Sequence, residues 1–129
     1  MIDKIAWLHV VDRRVLAAVS RGKSTWYLPG GKREPGETDA ETLVREIAEE
    51  LSVSLDPASL APAGVWEARA DGKAPGTAVR MTCYTASYAG SLAAASEIAS
   101  FGWLGYADRG RVSAAVQLIF DDLHAQGLL

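Results

Sequence analysis

Three glutamates near the middle of the 129-residue chain have a spacing that brings carboxylates together. Glu46, Glu49 and Glu50 occupy positions i, i+3 and i+4, so on a helix they share one face. Like charges at this spacing repel one another and weaken the helix unless a positive charge lies between them. Mg²⁺ prefers oxygen ligands. By itself the spacing favours an ordinary amphipathic helix with a solvated glutamate-rich face, and Mg²⁺ bound between the carboxylates is the alternative.

The helix that must carry these glutamates is marked by its other face and by its start. Apolar residues recur with the helical period and predict a buried stripe; they are Ala40, Leu43, Val44, Ile47 and Leu51. Thr38 followed by Glu41 is a capping-box pattern, which places the helix start near residue 38. The glutamates are thus predicted to form an acidic ridge beside a packed face.

The residues around the glutamates form a longer pattern. It reads Gly, five residues, Glu, seven residues, Arg-Glu, an aliphatic residue, any residue, Glu-Glu, any residue, Gly, and an aliphatic residue. The matching positions are Gly31, Glu37, Arg45, Glu46, Ile47, Glu49, Glu50 and Val53, whereas Ser52 stands where the pattern has Gly. This stretch resembles the Nudix box, and the preceding residues 26–32, Trp-Tyr-Leu-Pro-Gly-Gly-Lys, resemble the lead-in usual in that family.

The resemblance implies a fold and a metal. The implied fold class is α/β, the Nudix α/β/α sandwich with a mixed sheet between helices, and we expect residues 1–129 to form a single such domain. The implied cofactor is Mg²⁺, for which Mn²⁺ can substitute. By resemblance, Glu49 and Glu50 are metal ligands, Glu46 is a ligand or a base, and the carbonyl of Gly30 completes the metal shell.

Further site residues follow from the same resemblance. It implies that Arg45 orients the glutamates, and the spacing of Arg45 suits Glu49 one turn on. Glu37 is implied to be an additional or supporting metal group, the alternative being an exposed acid near a helix N-terminus. Glu97, in a loop before residues 101–104, is implied to be a general base or an extra metal ligand, the alternative being a solvated loop acid.

Substrate contacts are predicted from basic residues and glycines near the pattern. Arg21 follows a predicted strand, where related enzymes have an arginine that meets a phosphate; a solvated hairpin charge is the alternative. Lys32 is a second basic candidate, and Gly31 lets the backbone approach a ligand closely. Candidates for stacking on a base, each of which alternatively packs in the core or a hairpin, are Trp26, Tyr27, Trp66 and Phe101.

The other elements are predicted from apolar patterning and turn residues. Residues 5–11 and 15–20 are predicted to form a hairpin, and residues 26–28 a short strand that Pro29 ends. Residues 60–70 and 78–88 are predicted to pair as a second hairpin. Residues 101–104 read as a strand and residues 113–126 as a helix. Residues 89–100 are ambiguous by composition.

Composition excludes several classes of function. The formal net charge of −3 leaves no basic surface for general nucleic-acid binding. Cys83 is the only cysteine, which excludes a disulfide within the chain and predicts a buried packing residue. The N-terminus lacks the pattern of a signal peptide, and no apolar run is long enough for a transmembrane helix. We expect a cytoplasmic protein with no membrane or nucleic-acid partner, acting as a monomer or homodimer on a small-molecule nucleotide.

These features predict a Mg²⁺-dependent hydrolase of a nucleoside diphosphate linked to another moiety. The first choice of substrate is a (d)NTP, cleaved to the nucleoside monophosphate and pyrophosphate, and the alternative is a nucleotide sugar or a dinucleoside polyphosphate. A catalytically silent, nucleotide-sensing Nudix module is the alternative of another class. The retention of all the glutamates of the pattern disfavours that sensor.

Overall fold

Nine strands and two helices follow one another along residues 1–129 in the computed structural model. In chain order they are β1 (Ile2–Trp7), β2 (Val10–Val11), β3 (Arg14–Ser20), β4 (Gly30–Gly31), α1 (Asp39–Leu51), β5 (Ser54–Leu55), β6 (Ala61–Arg69), β7 (Ala78–Thr85), β8 (Tyr88–Ala89), β9 (Ile98–Leu104) and α2 (Ala114–Ala125). Short 3₁₀ turns at Pro57–Ser59 and Tyr106–Arg111 complete the chain. Neither helix is long and apolar enough to cross a membrane.

The central sheet is mixed. Its order is β4-β1-β7-β6, with β1 parallel to β7 and the other neighbours antiparallel. The pairing of β1 with β7 sets Lys4 opposite Met81 and Ile5 opposite Thr82. A second, antiparallel sheet has the order β2-β3-β9, and β5 pairs with β8. The strands thus form two sheets and a separate two-stranded pair, and they do not join into one continuous sheet.

Two apolar cores lie on opposite faces of the strands, because successive side chains of a strand point in opposite directions. On β1, Ile5 and Trp7 pack in the core on the α1 side, and Ala6 packs in the core on the α2 side. On β3, Leu16 belongs to the α1 side and Val15 to the α2 side. Helices thus cover both faces of mixed strands, which confirms the predicted α/β/α sandwich.

The first predicted hairpin is corrected by the structure. Only the two residues of β2 pair with β3, through a turn at Asp12 and Arg13, both of which have positive φ. The longer β1 instead leaves the hairpin and joins β7 in the other sheet. The reason is that both faces of β1 are apolar after Lys4, which suits a central strand covered on both sides.

The other predicted elements differ in how well they agree with the structure. Thr38 caps α1 in a complete capping box, and β6 pairs with β7, as predicted. Residues 26–28 make only isolated bridges, Tyr27 to Ala18 and Trp26 to Val112, rather than a strand. The last strand begins at Ile98, earlier than predicted, because its pairing with β3 extends to Ser20 through a bulge.

Candidate active site

A cleft of about 740 Å³ opens where β1 and β7 begin and β3 ends. Its walls bring together Lys4 from β1, Ser20 from β3, Glu46 and Glu50 from α1, and Glu97 from the loop before β9. Both glycines of β4 also line it. The volume lies within the range of small-molecule sites, about 300–1,000 Å³. The cleft is therefore large enough to hold a nucleotide.

The two glycines of β4 bring α1 close to β1. Gly30 has φ +151, and a Cβ there would lie 2.0 Å from the carbonyl oxygen of Ile5. A Cβ at Gly31 would lie 2.4 Å from the carboxyl carbon of Glu46. Any side chain at either position would displace β1 or the Glu46 carboxylate. Gly31, predicted as a substrate contact, thus also makes room for a catalytic candidate.

Glu50 is the buried carboxyl group of the cleft, with 3% of the residue exposed. The backbone N–H of Gly30 donates a hydrogen bond of 3.0 Å to Glu50 Oε1, and no arginine or lysine pairs with this carboxylate. Burial raises the pKa of Glu50 to about 8 against the opposing effect of the Gly30 hydrogen bond, and Glu97 and Glu46 raise it further. Glu50 thus holds a proton more tightly than an exposed glutamate does.

Glu97 lines the cleft together with Glu50. Ser96 Oγ donates a hydrogen bond of 2.6 Å to Glu97 Oε2, and the negative charge of Glu97 contributes to the raised pKa of Glu50. The Ser96 hydrogen bond is the largest cause that lowers the pKa of Glu97 below its ordinary value. The pKa of Glu50 is raised and that of Glu97 is lowered, so the cleft holds two carboxyl groups of unequal acidity.

Glu46 differs from Glu50 in having a cationic partner. Its Oε1 accepts a hydrogen bond of 2.8 Å from Arg45 Nη1. Burial nevertheless raises the pKa of Glu46, because desolvation outweighs the opposing effect of Arg45. Repulsion from Glu49 and Glu97 acts in the same direction as burial. Glu46 thus lies in the same wall as Glu50, but its carboxylate is oriented by the Arg45 side chain, whereas that of Glu50 is held by the Gly30 N–H.

Arg45 binds Glu37 more closely than the predicted partner Glu49. Its Nε and Nη2 donate to the two carboxylate oxygens of Glu37 at 2.7 and 2.8 Å, whereas its Nη1 lies 3.6 Å from Glu49 Oε2. Glu37 also accepts hydrogen bonds from the Glu34 N–H and the Thr42 hydroxyl. This arrangement occupies both oxygens of Glu37, so in this structure Glu37 holds Arg45 in place, outside the cleft wall.

Two other predicted residues also lie outside the cleft wall. The Glu49 side chain is 54% exposed and does not line the cleft. The Arg21 guanidinium donates a hydrogen bond to the carbonyl of Ser96, and the Arg21 N–H donates one of 2.8 Å to the carbonyl of Glu97. Arg21 thereby supports the Glu97 loop, while Lys32 lines the cleft as predicted.

Of the four aromatic candidates, the structure brings only Tyr27 to the cleft. Its hydroxyl hydrogen bonds with Ser20 Oγ. Trp26 lies under the guanidinium of Arg111, and Trp66 Nε1 donates to Asp122 at 2.7 Å. Phe101 packs against the core on the α1 side. Stacking of a base in this cleft is thus restricted to Tyr27.

The sequence reasoning missed three lysines, Lys4, Lys23 and Lys73, that line the cleft. No motif surrounds any of the three. The signal at Lys4 is a charged residue between two apolar residues of the same strand face. Those residues, Ile2 and Ala6, pack in or against the α2-side core. Lys73 follows a loop glycine and carries no comparable signal.

The donor set of the cleft fits a divalent cation that is only partly coordinated by protein. No three His, Cys, Asp or Glu side chains are arranged to hold a metal ion by themselves. Mg²⁺, however, commonly takes one or two carboxylates and fills its shell with water and substrate phosphates. Glu50 is a buried oxygen donor without a cationic partner, next to Glu46 and Glu97. A hard cation would neutralise this concentration of carboxylates.

Solved structures with this fold include two bacterial proteins. The MutT NUDIX hydrolase of Burkholderia pseudomallei aligns with a TM-score of 0.77 and 21% identity, covering 93% of this chain and 95% of that chain. The ORF135 protein of E. coli aligns with a TM-score of 0.74 and 22% identity, covering 97% and 89% of the two chains. At such identities the likeness shows the fold alone.

Curated relatives match the chain over shorter segments. The 8-oxo-dGDP phosphatase NUDT18 of Mus musculus is 47% identical over 38 residues, which are 30% of this chain and 12% of that protein. Nucleoside diphosphate-linked moiety X motif 6 of Mus musculus is 45% identical over 57 residues, 43% of this chain and 18% of that protein. The matched segments are thus a small part of both relatives.

The family is shown by a match that extends over most of the chain. The NUDIX domain model matches residues 5–117, which include the glycine pair, the glutamates of α1 and Glu97. The fold, the cleft and the box residues agree with that match. The chain belongs to the Nudix family of hydrolases.

Proposed function

We propose that this Nudix hydrolase is a Mg²⁺-dependent pyrophosphohydrolase that cleaves a (d)NTP to the nucleoside monophosphate and pyrophosphate. The observation that carries the proposal is the buried Glu50 carboxyl group, held by the Gly30 N–H and lining the cleft together with Glu46 and Glu97. A buried acid without a cationic partner, beside two further carboxylates, suits a site that receives a cation and a phosphate chain. The names of the relatives, an 8-oxo-dGDP phosphatase among them, support a nucleotide substrate.

The reaction forms a bond between a water oxygen and phosphorus and breaks the bridging P–O bond of the anhydride. When bound, a divalent cation neutralises phosphate charge and lowers the pKa of water. The carboxylate of Glu97 or Glu50 accepts the proton that the attacking water loses, and Glu46, oriented by Arg45, completes the negative wall. The leaving pyrophosphate departs with the bridging oxygen and its electron pair.

Lys32 and the glycine backbone position the phosphates in this scheme. Lys32 lines the cleft on the same loop as the two glycines, so its ammonium group reaches substrate that lies against β4. Its positive charge compensates the phosphate charge that develops as the anhydride opens. Arg21 acts through the Ser96 and Glu97 carbonyls, which hold the loop that carries the candidate base.

A substrate panel tests the proposal. The purified chain is incubated with the common (d)NTPs, 8-oxo-dGTP, nucleotide sugars and dinucleoside polyphosphates, with Mg²⁺ or with EDTA, and each product is identified by chromatography and ³¹P NMR. We expect monophosphate and pyrophosphate from at least one triphosphate, and none in EDTA. Cleavage of nucleotide sugars alone, or full activity in EDTA, contradicts the proposal.

Substitution of Glu50 sharpens the same experiment. Glu50→Gln removes the charge and preserves the size of the side chain, and we expect kcat to fall about 100-fold or more, as for loss of a key electrostatic group. Glu67→Gln is the matched control, because it makes the same chemical change at another glutamate. Glu67 lies on β6 and forms an exposed ion pair with Arg80 on β7. Unchanged kcat in Glu50→Gln would remove Glu50 from the mechanism.

A further inference from the structure

All four lysines of the chain line the same cleft. They are Lys4, Lys23, Lys32 and Lys73, and they come from β1 and from three separate loops. None of them forms an ion pair, since every one of the ten ion pairs in the structure is made by an arginine. In a chain of net charge −3, the unpaired ammonium groups are therefore gathered where the substrate would lie.

Lys4 is held on rigid structure. It lies on β1 opposite Met81 of β7, on the strand face whose neighbours Ile2 and Ala6 pack in or against the α2-side core. Lys4 is only partly exposed, and its side chain makes no hydrogen bond to protein. Burial, and then repulsion from Lys32, lower the pKa of Lys4, while Glu50 opposes both effects. A half-buried cation without a partner costs free energy that an anionic ligand would recover.

Lys73 is presented to the same place by an anchored loop. The loop between β6 and β7 is closed by the Ala70 N–H, which donates to the carbonyl of Thr77 at 2.8 Å. Asp71 Oδ2 accepts a hydrogen bond of 2.8 Å from the N–H of Ala114, the first residue of α2. Asp71 thereby caps α2, whose N-cap residue Ser113 makes no side-chain cap bond. The capping bond fixes the base of the loop and leaves Lys73 facing the cleft.

Lys4 and Lys73 line the same cleft as Lys32 and the glutamates, and their positive charges repel each other. Ammonium groups donate hydrogen bonds and cannot accept them, so the two lysine side chains suit phosphate oxygens. We propose that Lys4 and Lys73 form a second anion subsite that binds a third phosphate beyond the diphosphate held at the glutamates. The subsite rests on the proposed nucleotide hydrolase function and narrows its substrate class to triphosphates over diphosphates.

Binding of non-hydrolysable analogues tests the subsite without relying on turnover. Affinities are measured by isothermal titration calorimetry in Mg²⁺ for the α,β-methylene dNTPs and dNDPs of the four bases. We expect at least one triphosphate analogue to bind the wild type about tenfold or more tightly than its diphosphate, the magnitude of one or more charged hydrogen bonds. Lys4→Met and Lys73→Ala should each weaken triphosphate binding about tenfold and change diphosphate binding less than twofold.

The controls separate a subsite from general charge and from folding. Arg13→Gln removes one positive charge from the exposed turn between β2 and β3, outside the cleft and outside any ion pair, and should leave both affinities unchanged. Lys73 is an exposed loop residue, so its variant keeps the test valid even if Lys4→Met fails to fold. Equal affinity of wild type for the two analogues, an equal loss of both in the lysine variants, or no binding at any base overturns the subsite. Selective triphosphate binding without hydrolysis of any nucleotide would instead leave the subsite standing and overturn the proposed reaction.

Discussion

The three glutamates on one face of α1 differ in burial, although their helical spacing predicts the same role for each. Glu50 is 3% exposed as a residue, and the Glu46 and Glu49 side chains are 16% and 54% exposed. The difference arises because α1 lies against β4 at the Glu46 and Glu50 positions, where two glycines permit close approach. Only the two inner glutamates therefore belong to the cleft wall, and we expect substitution of Glu49 to affect activity less than substitution of Glu50.

Glu97 provides a prediction about the catalytic base. Glu97→Gln preserves an oxygen acceptor for the hydrogen bond from Ser96 but removes the negative charge of a carboxylate that lines the cleft. We expect kcat to fall about 10²–10⁴-fold, as for a general base, with the Mg²⁺ affinity nearly unchanged. The measurements are steady-state kinetics and a metal titration. A parallel loss of metal affinity would make Glu97 a ligand, and unchanged kcat would leave the base among the glutamates of α1.

Ser52 provides a prediction about stability, because it stands where the family pattern has glycine. Its φ of 64 is left-handed, which costs a residue with a Cβ about 1 kcal/mol. Its hydroxyl donates a 3.1 Å hydrogen bond to the carbonyl of Ala93, which contributes about 1 kcal/mol. Ser52→Gly relieves the first and loses the second, so we expect little change in the free energy of unfolding and none in kcat.

Ser52→Ala is the matched variant for that position. It keeps the left-handed strain and loses the hydrogen bond, so we expect destabilisation of about 1 kcal/mol in a urea titration. If Ser52→Gly is instead clearly less stable than Ser52→Ala, the glycine's extra freedom in the unfolded chain outweighs the relief of strain.

At the scale of elements, Arg45 ties the turn before α1 to the helix itself. Its bidentate pair with Glu37 connects the 34–37 turn to the face that carries Glu46. The hydrogen bonds from Arg45 are the main reason that the pKa of Glu37 falls to about 2 from an ordinary value of 4.5. Arg45, held by Glu37, thus orients the Glu46 carboxylate, although neither Arg45 nor Glu37 lines the cleft.

This pair predicts a pH dependence of stability. Because the pKa of Glu37 is lower in the folded protein, the folded state keeps the carboxylate ionised where the unfolded chain protonates it. The stabilisation is therefore complete above the ordinary pKa of about 4.5 and is lost as the pH falls towards 2. We expect the difference in Tm between wild type and Glu37→Gln to be largest at pH 6–7 and to shrink steadily below about pH 4.5. A difference that is constant from pH 7 to pH 3 would show that the charge of Glu37 does not stabilise the fold.

At the scale of the whole molecule, the strands separate two apolar cores, and Cys83 lies in the core on the α2 side with no exposed surface. Burial raises the pKa of the Cys83 thiol to about 12, so the native protein contains almost no thiolate at pH 8. We expect a thiol reagent to label the native protein roughly 100-fold or more slowly than the urea-unfolded chain. Because the chain has a single cysteine, labelling should follow the same urea transition as circular dichroism. Rapid labelling of the native protein would reveal local opening of β7 before global unfolding.

The sequence by itself determined those features that depend on neighbours along the chain. Helix α1, its Thr38 cap, its apolar stripe and the order of its glutamates follow from spacings of three and four residues, because a helix repeats its contacts at that interval. The Pro-Gly-Gly sequence and the box glutamates likewise indicated the family and the position of the site. The pairing of β6 with β7 was predictable for the same reason, since a turn of Gly and Pro residues joins them.

Tertiary structure alone decided the contacts between segments that are far apart in the chain. The parallel pairing of β1 with β7 could not be read from the hairpin-like sequence at residues 5–20, because parallel partners are far apart in the chain. The meeting of Glu50 with Glu97, and the assembly of Lys4, Lys32 and Lys73 around one cleft, depend on that topology. Charge and burial act through space, so packing, and not spacing along the chain, decides which residues line the cleft and which carboxyl group has its pKa raised there.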